Sequence, residues 1–350
     1  MHRFNTRIEA LPPSTANLLR QIDGLNGQWI GGAQLSPQAL GRLKRSVLVT
    51  STGASTRIEG SKLTDEEVEQ LMRGLSMRKL VDRDAQEVRG YYEVLTFVFE
   101  SWQDIDFSEN SIKHLHTQLL KYSTKDERQR GEYKKLENRV DMTDASGKVL
   151  ATLFETTPAY LTPKESAELI DWTREQLAAK TYHPLLVISS FVVEFLQIHP
   201  FLDGNGRLSR VLTNLLMLKA GYSFVPYVSH EKLIEDNKTE YYVALRKSQA
   251  SFKTNQETLA PWTSFFFEAL HAQAQQAIGL ISGESIEKLL SPNQLLVWRY
   301  IETVDESTIQ TITEATGVAR PTVRQAVDRL LKLKRIERRG QGRTTRYIKT

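Results

Sequence analysis

His199-Pro200-Phe201-Leu202-Asp203-Gly204-Asn205-Gly206-Arg207-Leu208-Ser209-Arg210 is the most informative run in the chain. Before it, Leu185 to Ile198 (LLVISSFVVEFLQI) is long and apolar enough for a buried helix. Pro200 ends that helix, since proline lacks an N–H and restricts the residue ahead of it. His199 is therefore expected at a helix end, facing a loop. Beyond the loop, apolar residues at 208, 211, 212, 215, 216 and 218 recur at helical spacing. They predict a second helix from Arg207 to Ala220, capped by Gly221. Gly204-Asn205-Gly206 becomes the turn at its N-terminus.

Such a turn gathers free backbone N–H groups, and glycine permits the positive φ and close approach that an anion-holding nest requires. Arg207 and Arg210 share one face of the first helical turn, where the macrodipole disfavours cations by up to about 1 kcal/mol each. Two arginines at that end call for an anion. Taken singly, His199 is compatible with a satisfied core histidine and Asp203 with a turn or capping residue. Together within twelve residues, these groups supply a base, a metal carboxylate, an anion nest and two guanidinium clamps, as nucleotidyl or phosphoryl transfer requires.

The run resembles the signature of the Fic family, H-x-F-x-[DE]-G-N-G-R-x-x-R, with every fixed position filled. The resemblance implies a mainly α protein: a helical Fic core with a β-hairpin flap, followed here by a small C-terminal domain. It also implies protein adenylylation, in which AMP passes from ATP to a Ser, Thr or Tyr hydroxyl of a target protein or of the chain itself. His199 would take the hydroxyl proton, for which a neutral imidazole is suited. Asp203 would hold Mg²⁺. Gly204, Asn205 and Gly206 would cradle the phosphates, with Arg207 on the β-phosphate and Arg210 on the γ-phosphate. Family members that act as kinases carry lysine where this chain has Gly206, and the chain has no G-x-x-x-x-G-K-[ST]. Uridylyl or phosphocholine transfer and removal of AMP stay compatible with the same residues.

Upstream, Ser36-Pro37 reads as a helix start followed by Leu40, Leu43, Val47 and Leu48. Ser55-Thr56-Arg57-Ile58-Glu59-Gly60 reads as a separate short helical segment, and on composition Glu59 is a surface residue. The resemblance changes that, because Ser55-x-x-x-Glu59-Gly60 matches the [ST]-x-x-x-E-[GN] inhibitory motif, whose glutamate pairs with the second signature arginine, here Arg210. This places the chain in the class with an N-terminal inhibitory helix. Thr64 with Glu67 forms a capping box and Leu63 with Val68 a hydrophobic staple, which predicts a helix from Asp65 to Leu75.

Glu87 to Phe99 and Ser111 to Tyr122 have amphipathic helical patterns. Leu136 to Pro158 alternates around the turn Asp144-Ala145-Ser146-Gly147 and predicts a hairpin, the flap, whose edge could hold a target protein as an added strand. Helices follow at Pro163 to Ala178 and Trp262 to Leu280. Ser229 to Tyr242 resembles the family's S-x-x-I-x-x-N-x-x-x-Y-Y segment, which implies nucleotide contacts at Asn237 and Tyr241.

Ser282-Gly283-Glu284-Ser285 and Ser291-Pro292 mark a linker. Gln294 to Val304, Ser307 to Thr316 and Ala319 to Leu333 then read as helices, with a hairpin from Ile336 to Tyr347. This tail resembles a winged helix-turn-helix, with Arg320, Thr322, Arg324 and Gln325 near the start of a recognition helix. Residues 320–350 hold 11 Lys/Arg against Asp328 and Glu337, so the tail is +9 and the remainder −5. A DNA or protein partner is expected at 291–350, and a homodimer is compatible. The division expected is 1–110 as an N-terminal helical region, 111–280 as the Fic core and 281–350 as linker and winged helix.

Zero cysteines exclude disulfides, thiol catalysis and cysteine-ligated zinc, and the histidines form no H-x-x-x-H pair. His114 and His116 would point to different helix faces. The N-terminus lacks the apolar core of a signal peptide, and the longest apolar run is interrupted by Glu194. A cytoplasmic protein with no membrane contact is expected.

Overall fold

The computed structural model describes residues 3–32, 37–74, 83–143, 149–252, 254–281, 290–333, 335–340 and 345–349, with 37–38 and 139–155 described as backbone. In chain order it runs α1 (Arg3–Glu9), α2 (Ser14–Gly32), α3 (Pro37–Ile58), α4 (Asp65–Met72), α5 (Arg83–Ser101) and α6 (Glu109–Leu119). The hairpin β1 (Arg139–Thr143) and β2 (Val149–Glu155) follows, then α7 (Thr162–Ala179), α8 (Pro184–Ile198) and α9 (Asn205–Lys219). The rest is α10 (His230–Asp236), α11 (Lys238–Gln249), α12 (Ala260–Ile281), α13 (Pro292–Glu302), α14 (Ile309–Thr316), α15 (Arg320–Lys332), β3 (Ile336–Arg339) and β4 (Arg346–Lys349). The protein is mainly helical. It falls into two units, Met1–Gly31 with Gly41–Ala277, and Gly32–Leu40 with Ile278–Thr350. No helix among the described residues is long and apolar enough to cross a membrane.

The first unit is organised by α8. Pro184 occupies its first turn, and His183 accepts the Leu185 N–H through Nδ1 at 3.3 Å. Its apolar side chains from Leu185 through Phe191 to Ile198, apart from the half-buried Leu186, are buried, each burial contributing about 2 kcal/mol. The helix also buries Glu194, which pairs with Arg7 at 2.6 Å and Arg3 at 3.2 Å, so α1 is held to α8 by charge as well as by packing. At its C-terminus His199 adopts the left-handed conformation (φ 52, ψ 60), which costs a non-glycine residue about 1 kcal/mol.

After the loop, α9 starts two residues earlier than the apolar spacing predicts, at Asn205. Gly204, with φ 79, is its N-cap and Gly206 already lies in the helix, while Gly221 (φ 92) follows its last turn as expected. A larger difference concerns α3. Ser55 to Ile58 is not a separate segment but the last turn of one 22-residue helix. Buried Ser51, Thr52, Ser55 and Thr56 form a polar stripe that masks its periodicity. The Thr64–Glu67 capping box forms, and α4 ends at Met72.

The hairpin pairs β1 with β2 antiparallel, with irregularities at Val140/Asp141 and Met142/Thr143. The turn expected at Asp144 to Gly147 lies outside the described residues, as does Ser282 to Ser285.

The second unit packs α13, α14 and α15 around Val297, Trp298, Ile301, Ile312, Val323 and Leu330. Ser291 and Gln294 form a capping box on α13, and Gly317 (φ 68) makes the turn from α14 toward α15. The antiparallel pair β3–β4 closes the unit, with Tyr347 bridging back to Ser307. Gln341, Gly342 and Arg343 lie outside the described residues.

Candidate active site

His199 stands at the C-terminus of α8 with its Nδ1 3.2 Å from the Leu196 carbonyl. A carbonyl can only accept, so Nδ1 carries the proton and the lone pair lies on Nε2. Burial holds the imidazole pKa down to about 4, with the Lys134 charge acting in the same direction. The ring is therefore neutral at physiological pH, with its Nε2 lone pair available to accept a proton.

The loop after His199 is closed by Asn205. Its Oδ1 accepts the Phe201 N–H at 2.9 Å and its Nδ2 donates to the Phe201 carbonyl at 2.7 Å. The side chain is thus committed to the loop, so an anion contact at this position would fall to the backbone. Asp203 Oδ1 accepts the Gly204 N–H at 2.6 Å and meets Arg207 at 3.1 Å, while Oδ2 lies 3.4 Å from Arg83. Burial would raise the Asp203 pKa, but Arg207 and the Gly204 N–H hold it below the usual carboxylate value. Arg207 is buried, with Glu87 3.0 Å away.

At the end of α3, Glu59 Oε1 accepts from Arg210 at 2.8 Å. The buried guanidinium also donates through Nε to Ser55 Oγ at 2.8 Å and to the Ser55 carbonyl at 2.9 Å. Burial would raise Glu59, but Arg210 outweighs it and keeps the carboxylate ionised. The carboxylate also lies directly over Gly206, where a β-carbon would overlap Glu59 Oε1. Ser55, Glu59, Gly206 and Arg210, distant in sequence, are thus assembled on the first turn of α9.

The model of the Fic/DOC family matches residues 106–217. A Fido domain-containing protein of Dictyostelium discoideum is 34% identical over 107 residues, which span 28% of this chain and 68% of that protein. The chain belongs to the Fic/DOC family. Protein adenylyltransferase fic-1 of Caenorhabditis briggsae is 27% identical over 122 residues, 35% of this chain, and the chain spans 22% of that relative's length. A crystal structure of a Fic family protein from Desulfovibrio desulfuricans superposes with a TM-score of 0.62 at 25% identity, covering 97% of each chain.

Other residues of this Fic protein complete the site. His116, one of two histidines placed on different faces of one helix, stacks on Phe201 at 3.8 Å. Its Nδ1 accepts the Gly131 N–H at 2.9 Å and its Nε2 donates to the Asp203 carbonyl at 3.0 Å. Behind Arg210, buried Glu231 accepts from Tyr91 at 2.9 Å and from Asn214 at 2.6 Å, and Asn214 also donates to the Arg210 carbonyl. Sequence patterns gave these residues no role.

Tyr241 is buried against Trp262 and Phe265, with Arg210 beside its hydroxyl. Asn237 is exposed between α10 and α11, its carboxamide donating to the Leu233 carbonyl at 2.8 Å. Its side chain is therefore engaged within its own turn.

Among the described residues no group of three or more His, Cys, Asp or Glu could hold a metal ion. Asp203 offers a single carboxylate, 29% exposed. That donor fits Mg²⁺, which retains waters and takes substrate phosphate oxygens, better than a metal needing an all-protein cage.

Proposed function

We propose that the chain transfers AMP from ATP to a Ser, Thr or Tyr hydroxyl of a target protein, or to itself, and that Glu59 restrains this reaction. The observation that carries this reading is the meeting, across the loop from α8 to α9, of a neutral imidazole at the end of α8 with a glycine nest and an arginine already holding a carboxylate on the first turn of α9.

His199 Nε2 accepts the hydroxyl proton as the oxygen bonds to the α-phosphorus, and the bond from that phosphorus to the bridging oxygen breaks, so pyrophosphate leaves. The backbone N–H groups at Gly204, Asn205 and Gly206 receive phosphate oxygens, with Arg207 and Arg210 neutralising the β- and γ-phosphates. Mg²⁺, held by Asp203, would offset charge on the leaving group. Asn237 and Tyr241 border the nucleotide, and the hairpin within 136–158 receives the target segment as an added strand.

Ser55 and Glu59 make the inhibitory end of α3. An arginine held by an internal carboxylate cannot also orient a γ-phosphate. In domain terms, 1–110 carries the restraint, 111–280 the Fic core and 281–350 the linker and a winged helix-turn-helix, in a cytoplasmic protein able to form a homodimer.

Intact-mass measurement on Glu59→Gly protein incubated in turn with ATP, UTP, GTP and CDP-choline tests the transfer. Addition of AMP from ATP supports it. A uridylyl or phosphocholine adduct, or only loss of AMP from an adenylylated protein, would replace it with another reaction at the same site.

A second reading, a DNA-binding regulator with a nucleotide-sensing core, is favoured by one feature: Arg320, Arg324 and Gln325 are exposed at the start of α15. A salt-sensitive gel shift lost on removing residues 291–350, with no transfer by any variant, would favour it.

A further inference from the structure

Lys134 is buried, 4% exposed, and its ammonium donates to three neutral oxygens: Asn138 Oδ1 at 2.7 Å, Thr156 Oγ1 at 2.8 Å and the Ile198 carbonyl at 3.0 Å. Its backbone N–H donates to the Pro200 carbonyl at 2.9 Å. One residue therefore holds the carbonyls on both sides of His199, the residue in the left-handed conformation.

The same ammonium joins the two feet of the hairpin, because Asn138 precedes β1 and Thr156 follows β2. The hairpin neck is fastened separately to the backbone on either side of His199 as well. Asn138 Nδ2 donates to the Phe201 carbonyl at 2.9 Å, and the Thr157 N–H donates to the Gln197 carbonyl at 3.2 Å. Burying an ammonium on neutral acceptors is costly, and burial holds its pKa down to about 8. An apolar residue would fill the space at lower cost, so the charge and its three-way geometry point to a role beyond filling.

We infer that Lys134 is a positioning residue that sets the His199 imidazole and the flap hairpin in one fixed relation, so that a hydroxyl carried on a strand added to the flap meets Nε2. This rests on the transfer reaction proposed above and assigns that reaction a further residue. Lys134 touches neither nucleotide nor acceptor and acts through His199 and the hairpin neck. Loss of its charge should therefore slow transfer to protein and leave ATP binding, which uses the loop and α9, nearly intact.

The test measures self-labelling with α-labelled ATP in the Glu59→Gly protein, alone and combined with Lys134→Met or Thr156→Val. Lys134→Met is expected to lower kcat about tenfold or more with the KM for ATP within about twofold, since a small misplacement of reacting groups is enough for such a loss. Thr156→Val removes one of the three acceptors and should give the same split, less severely. A labelling parent whose Lys134→Met form keeps its kcat, or loses activity wholly through KM, overturns the inference alone. Should Lys134→Met fail to fold, Thr156→Val decides by the same criterion. A Glu59→Gly parent that labels nothing would remove the transfer reaction itself, and this inference with it.

Discussion

Glu59 lies over Gly206 so closely that position 206 can carry no side chain while Glu59 stays where it is. Gly206, in the first turn of α9, is thus the floor on which the Glu59 carboxylate rests. Gly206→Ala should push the end of the Glu59 side chain off its pair with Arg210 and destabilise the protein by about 1 kcal/mol. In a Glu59→Gly background the same change should cost markedly less, since the atom it strikes is gone. Urea unfolding of the four proteins of this cycle gives the coupling directly, and additive effects would show that Glu59 does not occupy that floor in solution.

Arg210 is held by Ser55 as well as by Glu59, so it should stay in position when the carboxylate is removed. Arg210→Ala in the Glu59→Gly background is accordingly expected to raise the KM for ATP about tenfold or more, the scale of a lost charge-assisted contact to phosphate. Steady-state labelling over a range of ATP concentrations checks this. An unchanged KM would mean that the guanidinium does not grip the nucleotide.

Three histidines, His116, His199 and His230, are held neutral, with burial the main cause of pKa values of about 4 against an ordinary 6.5. The unfolded chain binds protons on these rings between those values and the folded chain does not, so stability falls as pH drops from 6.5 toward 4. The slope should approach about 4 kcal/mol per pH unit in mid-window, from three protons at about 1.4 each. Urea midpoints collected through this range measure it. A flat profile there would show that the rings take up protons without unfolding.

Arg7 neutralises Glu194 inside the first unit and also bonds Glu257 at 2.6 Å. Arg7→Met should cost about 1–3 kcal/mol because it leaves buried Glu194 with Arg3 alone, 3.2 Å away, to balance it. Adding Glu194→Met should recover part of that loss by removing the under-compensated charge. Chemical denaturation of both variants distinguishes this from simple loss of packing, in which the second substitution would add to the first.

The loop from His199 to Arg210 was legible because its chemistry is contiguous: proline stops a helix, glycine turns the chain, and arginines stand where a helix dipole repels them. The Glu59–Arg210 pair, 151 residues apart, was reached through resemblance to a motif, since nothing in the composition of α3 marks a surface-looking glutamate as a partner of α9. Even the continuity of α3 was hidden by its buried serines and threonines. His116 and Lys134 gave no warning because their partners include backbone carbonyls, which every sequence possesses everywhere. Glu231 is invisible for a related reason, its partners Tyr91 and Asn214 lying on two other helices.

Incorporation of α-labelled ATP into protein by wild type, Glu59→Gly and Glu59→Gly/His199→Ala, measured side by side, bears most directly on the proposed transfer and its restraint. We expect weak labelling by wild type, labelling raised about tenfold or more by Glu59→Gly on the scale of a lost charge-assisted contact, and none above background once His199 is replaced. Equal labelling by wild type and Glu59→Gly would contradict the restraint, and undiminished labelling without His199 would contradict the chemistry.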